Sequence, residues 1–371
     1  MAQQIANAPG QRRRVDMSFT TNGLVCAHHH LYSSLVRGMP APKNRSNSFI
    51  DILKNIWWRV DAALDNEMIY WSAMLGATEA MMSGTTCIID HHESPNCIEG
   101  SLTTIADACK VVGVRVNACY GVTDRWQNDQ TLRSKVSPLA KMTEAAKRGL
   151  AECDRYLSAG GNGMIGVHAA FTCSDETLVA AAELAQKHSV GVHIHVAEAS
   201  DDYQAGARLE SIAKDNWLLV HSVHLDRKLK GRIVHNARSN MNNSVGYAKP
   251  TQWPNKILLG TDGIGADMIE EARLAYARLR EFDVTAEPST VWQWLDNGRD
   301  LFPEANDDVV TFNYDFSDSP WHAAFTTNMT VTDVEIAGEK VLVNCQPTRI
   351  DINEVRAKAH EQALRLYKRL T

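Results

Sequence analysis

Cys26-Ala27-His28-His29-His30 ends a short apolar run that begins at Gly23-Leu24-Val25, and much later Leu258-Leu259-Gly260-Thr261-Asp262-Gly263 ends another. Side chains of an extended chain alternate, so residues two apart share a face. His28 and His30 therefore point the same way from the end of a strand, as two ligands of one metal ion must. Asp262 stands at the tip of its own apolar run, just before a glycine. A closed parallel barrel focuses the C-terminal ends of its strands on one point. These residues predict a metal centre of the hydrolytic type.

The third ligand is expected from His193-Ile194-His195-Val196-Ala197-Glu198. By alternation His193 and His195 share a face, so either can serve, and His195 lies closer to the rim. Glu198 follows three residues later, in the turn above, where a carboxylate can reach a bound substrate without competing for the metal. Neutral imidazoles suit Zn2+ at about 2.0–2.1 Å, whereas His29, pointing the other way, is read as a non-ligand. As a ligand, Asp262 keeps one oxygen free to take a proton from a water whose pKa zinc lowers to about 7. Of the 14 histidines, His28, His30, His91, His168, His195, His221 and His235 all fall at or near predicted strand ends. The fourth strand ends in Gly166-Val167-His168, with no lysine or carboxylate to bridge two ions, so one ion per subunit is expected.

Eight apolar, β-branched runs must position these groups: 24–30, 85–91, 114–120, 164–168, 190–196, 217–221, 232–236 and 256–261. Helical patterns separate most of them, at 65–82, 102–112, 139–157 and 175–188, the first stopped by Ser83-Gly84 and the last begun at Ser174, an N-cap type. Leu225–Gly231 is too short for a helix, so that crossover is expected to be a loop. Strands alternating with helices predict an α/β fold, a closed (β/α)8 TIM-type barrel. A doubly wound open sheet is the alternative, but no Gly-x-Gly-x-x-Gly follows the first strand. Beyond the barrel, 309–314 and 331–343 read as short strands, the latter broken at Ala337-Gly338. Residues 353–370 read as an amphipathic helix with Val355, Ala359, Ala363 and Leu366 on one face.

With 371 residues the chain is long enough for such a barrel and a small accessory domain. A net charge of -6 leaves no electrostatic footprint for nucleic acid, and Arg12-Arg13-Arg14 is read as a solvated segment. Eight scattered cysteines without a Cys-x-x-Cys pair predict reduced thiols. No membrane-length apolar stretch and no leader are seen, so the expected compartment is the cytoplasm.

Several motifs resemble the amidohydrolase superfamily, in the branch of guanine, adenosine and methylthioadenosine deaminases and triazine hydrolases, and most of all the SsnA-type aminohydrolases. They are Cys-Ala-His-His-His-Leu-Tyr-Ser (26–33), Arg37-Gly38, Ser83-Gly84-Thr85-Thr86, the segment His168–Ser174, His195-Val196-Ala197-Glu198, the segment His221–Leu225, the segment His235–Asn243 and Gly260-Thr261-Asp262-Gly263. The resemblance implies His28, His30, His195 and Asp262 as metal ligands. It implies Glu198 and His221 as proton-handling and substrate-orienting groups, with Asp262 taking the water's proton, and His168 as a substrate contact.

The implied reaction is hydrolytic deamination of an amino-substituted nitrogen heterocycle (a purine, pterin, pyrimidine or triazine) by metal-activated hydroxide. The metal is Zn2+, one per subunit, with Fe2+ accommodated by the same donors. Trp57 and Trp58 either stack on a planar ring or serve as helix-packing aromatics. Ring-opening of a cyclic amide or dechlorination at the same site is one alternative, a catalytically silent metal-binding homologue another. Partners are expected to be a small heterocyclic substrate and a second copy of the chain in a homodimer, with no nucleic acid and no membrane. This sequence departs from the family in having Asn22 where Pro is usual and in offering few residues for the small β-sandwich. The expected division is an N-terminal segment 1–19 belonging to an abbreviated β subdomain, a barrel over 20–305, the rest of that subdomain over 306–350, and a terminal helix over 351–371.

Overall fold

The computed structural model describes residues 18–127, 132–133 and 135–371; Arg12-Arg13-Arg14 and the rest of the segment up to residue 17 lie outside the described residues. The strands in chain order are β1 (Phe19–Thr21), β2 (Leu24–His29), β3 (Thr85–His92), β4 (Arg115–Tyr120), β5 (Ile165–Ala169), β6 (Val192–Val196), β7 (Leu218–His221), β8 (Arg232–His235), β9 (Ile257–Leu259), β10 (Val309–Phe312), β11 (Val331–Ile336), β12 (Glu339–Val343) and β13 (Gln346–Pro347). Each of the eight expected barrel runs coincides with one of β2 to β9, β3 and β5 running one residue further than expected.

β2-β3-β4 form one parallel sheet and β5-β6-β7-β8-β9 another. Two seams join them. Ala118 bridges Gly163 and Val122 bridges Val167 on one side; His29 bridges Asp262 on the other. At this second seam the carbonyl of His28 accepts from the amides of Thr261 at 2.9 Å and Asp262 at 3.2 Å. Eight parallel strands thus run round in chain order as a (β/α)8 barrel. Alternation divides their side chains: Val25, Ala27, Cys87, Ile89, Cys119, Leu218, Val220, Val234 and Leu258 pack together inside. Leu24, Cys26, Ile88, Ile194, Leu219, Ile233 and Leu259 pack outward against the helices.

The helices begin and end where side chains can satisfy free backbone groups. Asp65 accepts from the Met68 amide to start Asn66–Met82, which stops at Ser83 before Gly84 with φ 84°. Ser174 accepts from the Thr177 amide to start Asp175–Lys187. The helix read from residue 139 begins only at Glu144, where Thr143 caps it, because 137–140 form a turn at Pro138. The β7–β8 connection carries no helix.

Among the described residues β1-β10-β11-β12-β13 form one antiparallel sheet beside the barrel. Arg115 ties it to the barrel by pairing with buried Asp308, Nη2 to Oδ1 at 3.0 Å. The helix Ile352–Leu370 buries Val355, Ala359, Ala363 and Leu366. It is pinned by Arg365 and Arg369 on Asp65, and by the Tyr367 hydroxyl, whose one proton is shared between the carbonyls of Arg37 at 2.6 Å and Leu35 at 2.9 Å. Among the described residues no helix is long and apolar enough to cross a membrane.

Candidate metal centre

Strand ends at the barrel's C-terminal face bring the predicted groups together, though not by plain alternation. In β2 the pairing with β3 slips between Cys26 and His29, so His28 joins Ala27 on the interior side. Asp262, after β9, has φ 55°, and His221, at the end of β7, has φ 68°. His221 would otherwise follow Leu219 outward; this uncommon left-handed conformation, of the kind found at functional sites, turns it to the centre. His235 keeps the outward register of Ile233 and packs near Tyr247 and Trp294, away from the centre.

The ligand atoms of His28, His30 and His195 all lie within 4.8 Å of one another, as do those of His28, His221 and Asp262. Asp262 Oδ1 is 3.1 Å from His30 Nε2 and 3.5 Å from His28 Nε2, and His30 Nε2 is 3.3 Å from His195 Nε2. The outer nitrogens are held. His30 Nδ1 lies 2.6 Å from the His91 carbonyl and His195 Nδ1 2.6 Å from the His168 carbonyl. A carbonyl can only accept, so Nδ1 carries the proton and each Nε2 presents its lone pair inward.

His28 Nε2 is buried without a hydrogen-bond partner, an omission costing about 1–3 kcal/mol that a cation would relieve. Burial lowers His28 and His195 well below the usual histidine range, keeping them neutral. At His30 burial is outweighed by Asp262, which raises it. Burial alone would raise Asp262, but His28 and His30 hold it well below the ordinary carboxylate range. Imidazoles whose Nε2 atoms converge beside one ionised carboxylate fit a divalent ion of zinc type.

Around this cluster, the helix Ala237–Asn242 after β8 and the residue that follows it supply three orienting groups. Ser239 Oγ donates to Asp262 Oδ2, Asn240 Oδ1 lies 2.8 Å from His221 Nδ1, and Asn243 Nδ2 donates to Glu198 Oε1 at 3.4 Å. These roles are not legible in the stretch itself, whose i, i+4 pair Ser239/Asn243 is the available signal. Glu198 Oε2 lies 3.5 Å from His221 Nε2. Burial, and then the charge of Asp262, push its carboxyl well above the usual range. His29, read as a non-ligand, lies at the seam with Nδ1 2.6 Å from the Asp262 carbonyl.

The pocket over the cluster is lined by Tyr32, Phe49, Leu53, Trp57, Trp58, Asp61, Glu93, His168, Phe171 and Glu198. A π-helical turn, Leu53–Trp57, interrupts the helical segment from Phe49 to Ala63, and the consecutive Trp57 and Trp58 both reach the pocket. His168 Nδ1 lies 2.7 Å from Thr172 Oγ1, whose own proton goes to the Ala169 carbonyl, so Nε2 is left as an acceptor. Behind the wall Arg125, fully buried, donates to Asp61 at 2.7 Å and to Glu93, its guanidinium 5.0 Å from the Trp58 ring centre. Nothing in the sequence marked Arg125.

Among curated proteins, the chain is 30% identical over 286 residues to the 5'-deoxyadenosine deaminase of Methanopyrus kandleri, covering 68% of this chain and 60% of that enzyme. It is 26% identical to the 5'-deoxyadenosine deaminase of Methanocaldococcus jannaschii over 91% of this chain and 87% of that one. Its fold is like that of a zinc-bound adenosine deaminase from Xanthomonas campestris, with a TM-score of 0.74 at 19% identity over 95% of this chain and 87% of the other. A triazine hydrolase variant gives a TM-score of 0.76 at 16% identity, over 94% and 88%. The match to the family described as the amidohydrolase family runs over residues 19–294, from β1 into the helix Pro288–Asp296, and so takes in the whole cluster. The chain belongs to the amidohydrolase family.

Proposed function

We propose that the protein is a metal-dependent hydrolytic deaminase of an amino-substituted nitrogen heterocycle, with His28, His30, His195 and Asp262 as ligands of one zinc ion. Iron(II) suits the same donors. The observation that carries this is the convergence of three imidazole Nε2 atoms and a carboxylate, with His30 and His195 held in the tautomer that ligation needs. The deaminase names of the curated relatives support it. When bound, the ion supplies a water of lowered pKa as nucleophile.

The chain's own residues supply the proton transfers. Asp262 accepts the attacking water's proton, its Oδ2 steadied by Ser239. His221, with Nδ1–H given to Asn240, has Nε2 free to accept a hydrogen bond from that water and aim it. Glu198, protonated, gives its proton to a ring nitrogen as oxygen adds to the amino-bearing carbon. The C–N bond then breaks, ammonia leaves with the proton held by Asp262, and the new hydroxyl returns a proton to Glu198. His168 Nε2 accepts from a substrate N–H, and Trp57 and Trp58 stack on the ring. We take the barrel over 20–305 as the catalytic unit and the sheet and helix beyond it as an accessory.

The test is metal analysis combined with ammonia release over a panel of purines and their nucleosides, pterins, pyrimidines and triazines. One zinc per chain and ammonia from one class are expected. Chloride release or ring opening without ammonia would replace deamination by another hydrolysis, and bound zinc with no turnover on any class would leave a silent homologue.

A further inference from the structure

The cluster's histidines are not held alike. His30 and His195 face main-chain carbonyls, but His28 faces a second imidazole, its Nδ1 3.1 Å from His193 Nε2. His193 Nδ1 is in turn 2.8 Å from His91 Nδ1. All three rings are fully buried, where a nitrogen left without a partner is costly. Beyond them His91 Nε2 faces Glu93 Oε1 at 3.8 Å. Gly121 keeps that junction open, since a Cβ there would lie 2.4 Å from His91 Nε2 and 2.8 Å from Glu93 Oε1. Glu93 lines the pocket, 3.8 Å from His168 Nε2.

A neutral imidazole has one donor and one acceptor nitrogen. A row of three therefore points one way, and choosing one tautomer chooses all. A ligand His28 needs its lone pair on Nε2 and its proton on Nδ1. His193 then accepts at Nε2 and donates from Nδ1, while His91 accepts at Nδ1 and presents Nε2–H toward Glu93. We propose that His193 and His91 are positioning residues of the metal centre: the buried row His28–His193–His91 holds His28 in the metal-binding tautomer, its last N–H pointing toward the pocket carboxylate Glu93. This rests on the metal-centre reading above. Cys119 Sγ lies 3.8 Å from His91 Nδ1 but does not interrupt the row. Its thiol donates to the Asp90 carbonyl, and burial raises its pKa and keeps it a thiol.

The experiment measures zinc affinity of the full chain by chelator competition at fixed pH, with melting of the metal-stripped proteins as the control for folding. His193→Leu should weaken zinc ten- to hundredfold, the range for losing an outer partner of a ligand histidine, while the stripped protein still melts cooperatively as a folded chain. His193→Gln, whose amide can accept from His28 and donate to His91, should recover most of the affinity. In 15N-histidine spectra of the zinc-loaded wild type, His28 and His193 should carry Nδ1–H and His91 Nε2–H. Unchanged affinity in His193→Leu, or His91 with its proton on Nδ1, overturns the proposal. So does a second zinc per chain that is lost in Cys119→Ser, because His91 and His193 would then be ligands. A wild type that binds no zinc sinks the metal-centre reading itself, and the row with it, so the two failures are distinguishable.

Discussion

Glu198→Gln separates binding from chemistry. Glu198 sits on the pocket wall, its Oε2 3.5 Å from His221 Nε2, and is not among the residues proposed as ligands. Glutamine keeps the shape and can still accept from Asn243, but it has no proton to give. Loss of a general acid–base costs about 10^2–10^4 in turnover, or roughly 2.7–5.4 kcal/mol at about 1.36 kcal/mol per decade. Zinc content should be unchanged. Because a general acid must be protonated, kcat/KM of the wild type should fall as pH rises through the raised pKa of Glu198, and the variant should lose that alkaline limb. Stability carries a second signature, read on the metal-stripped proteins. With its folded pKa raised, Glu198 holds a proton in the native state that the unfolded chain releases above about pH 4.3. Native stability from this group is therefore fully present below that pH and is lost as pH climbs toward the folded pKa. The melting temperature of Glu198→Gln should exceed that of the wild type by a margin that grows over the same interval. Near-normal turnover on the true substrate would refute the proton role and pass it to His221.

His195→Ala should lose the metal, because two imidazoles and a carboxylate hold it less tightly; elemental analysis still finding one ion per chain would contradict this. Ser239→Ala removes the donor to Asp262 Oδ2 and should weaken zinc about ten- to hundredfold in chelator competition. Arg125→Met strands the buried carboxylates of Asp61 and Glu93 and should cost about 3–5 kcal/mol in urea unfolding. A loss under about 1 kcal/mol would mean that the cluster relaxes or takes up protons.

Local periodicity carried much of this protein. The barrel runs, the Ser174 cap, the stop at Ser83-Gly84 and the helix-free β7–β8 connection depend on contacts a few residues apart, and each was legible in the chain. So was the placing of His28, His30, His195 and Asp262 at strand ends, since an apolar run that meets a polar residue marks the strand's exit. Tertiary structure decided which way the ends face. A register slip in β2 turns His28 inward, a left-handed backbone turns His221 inward, and ordinary alternation turns His235 out, although all three end similar runs. It also gave His193 and His195, which share a face, different neighbours: closure of the barrel sets His195 against His30 and His193 against His28. The partners Ser239, Asn240, Asn243 and Arg125, and the row through His91, are far in sequence from what they hold. Spacing along the chain fixes a side chain's direction, but what it meets across the barrel depends on how eight strands close.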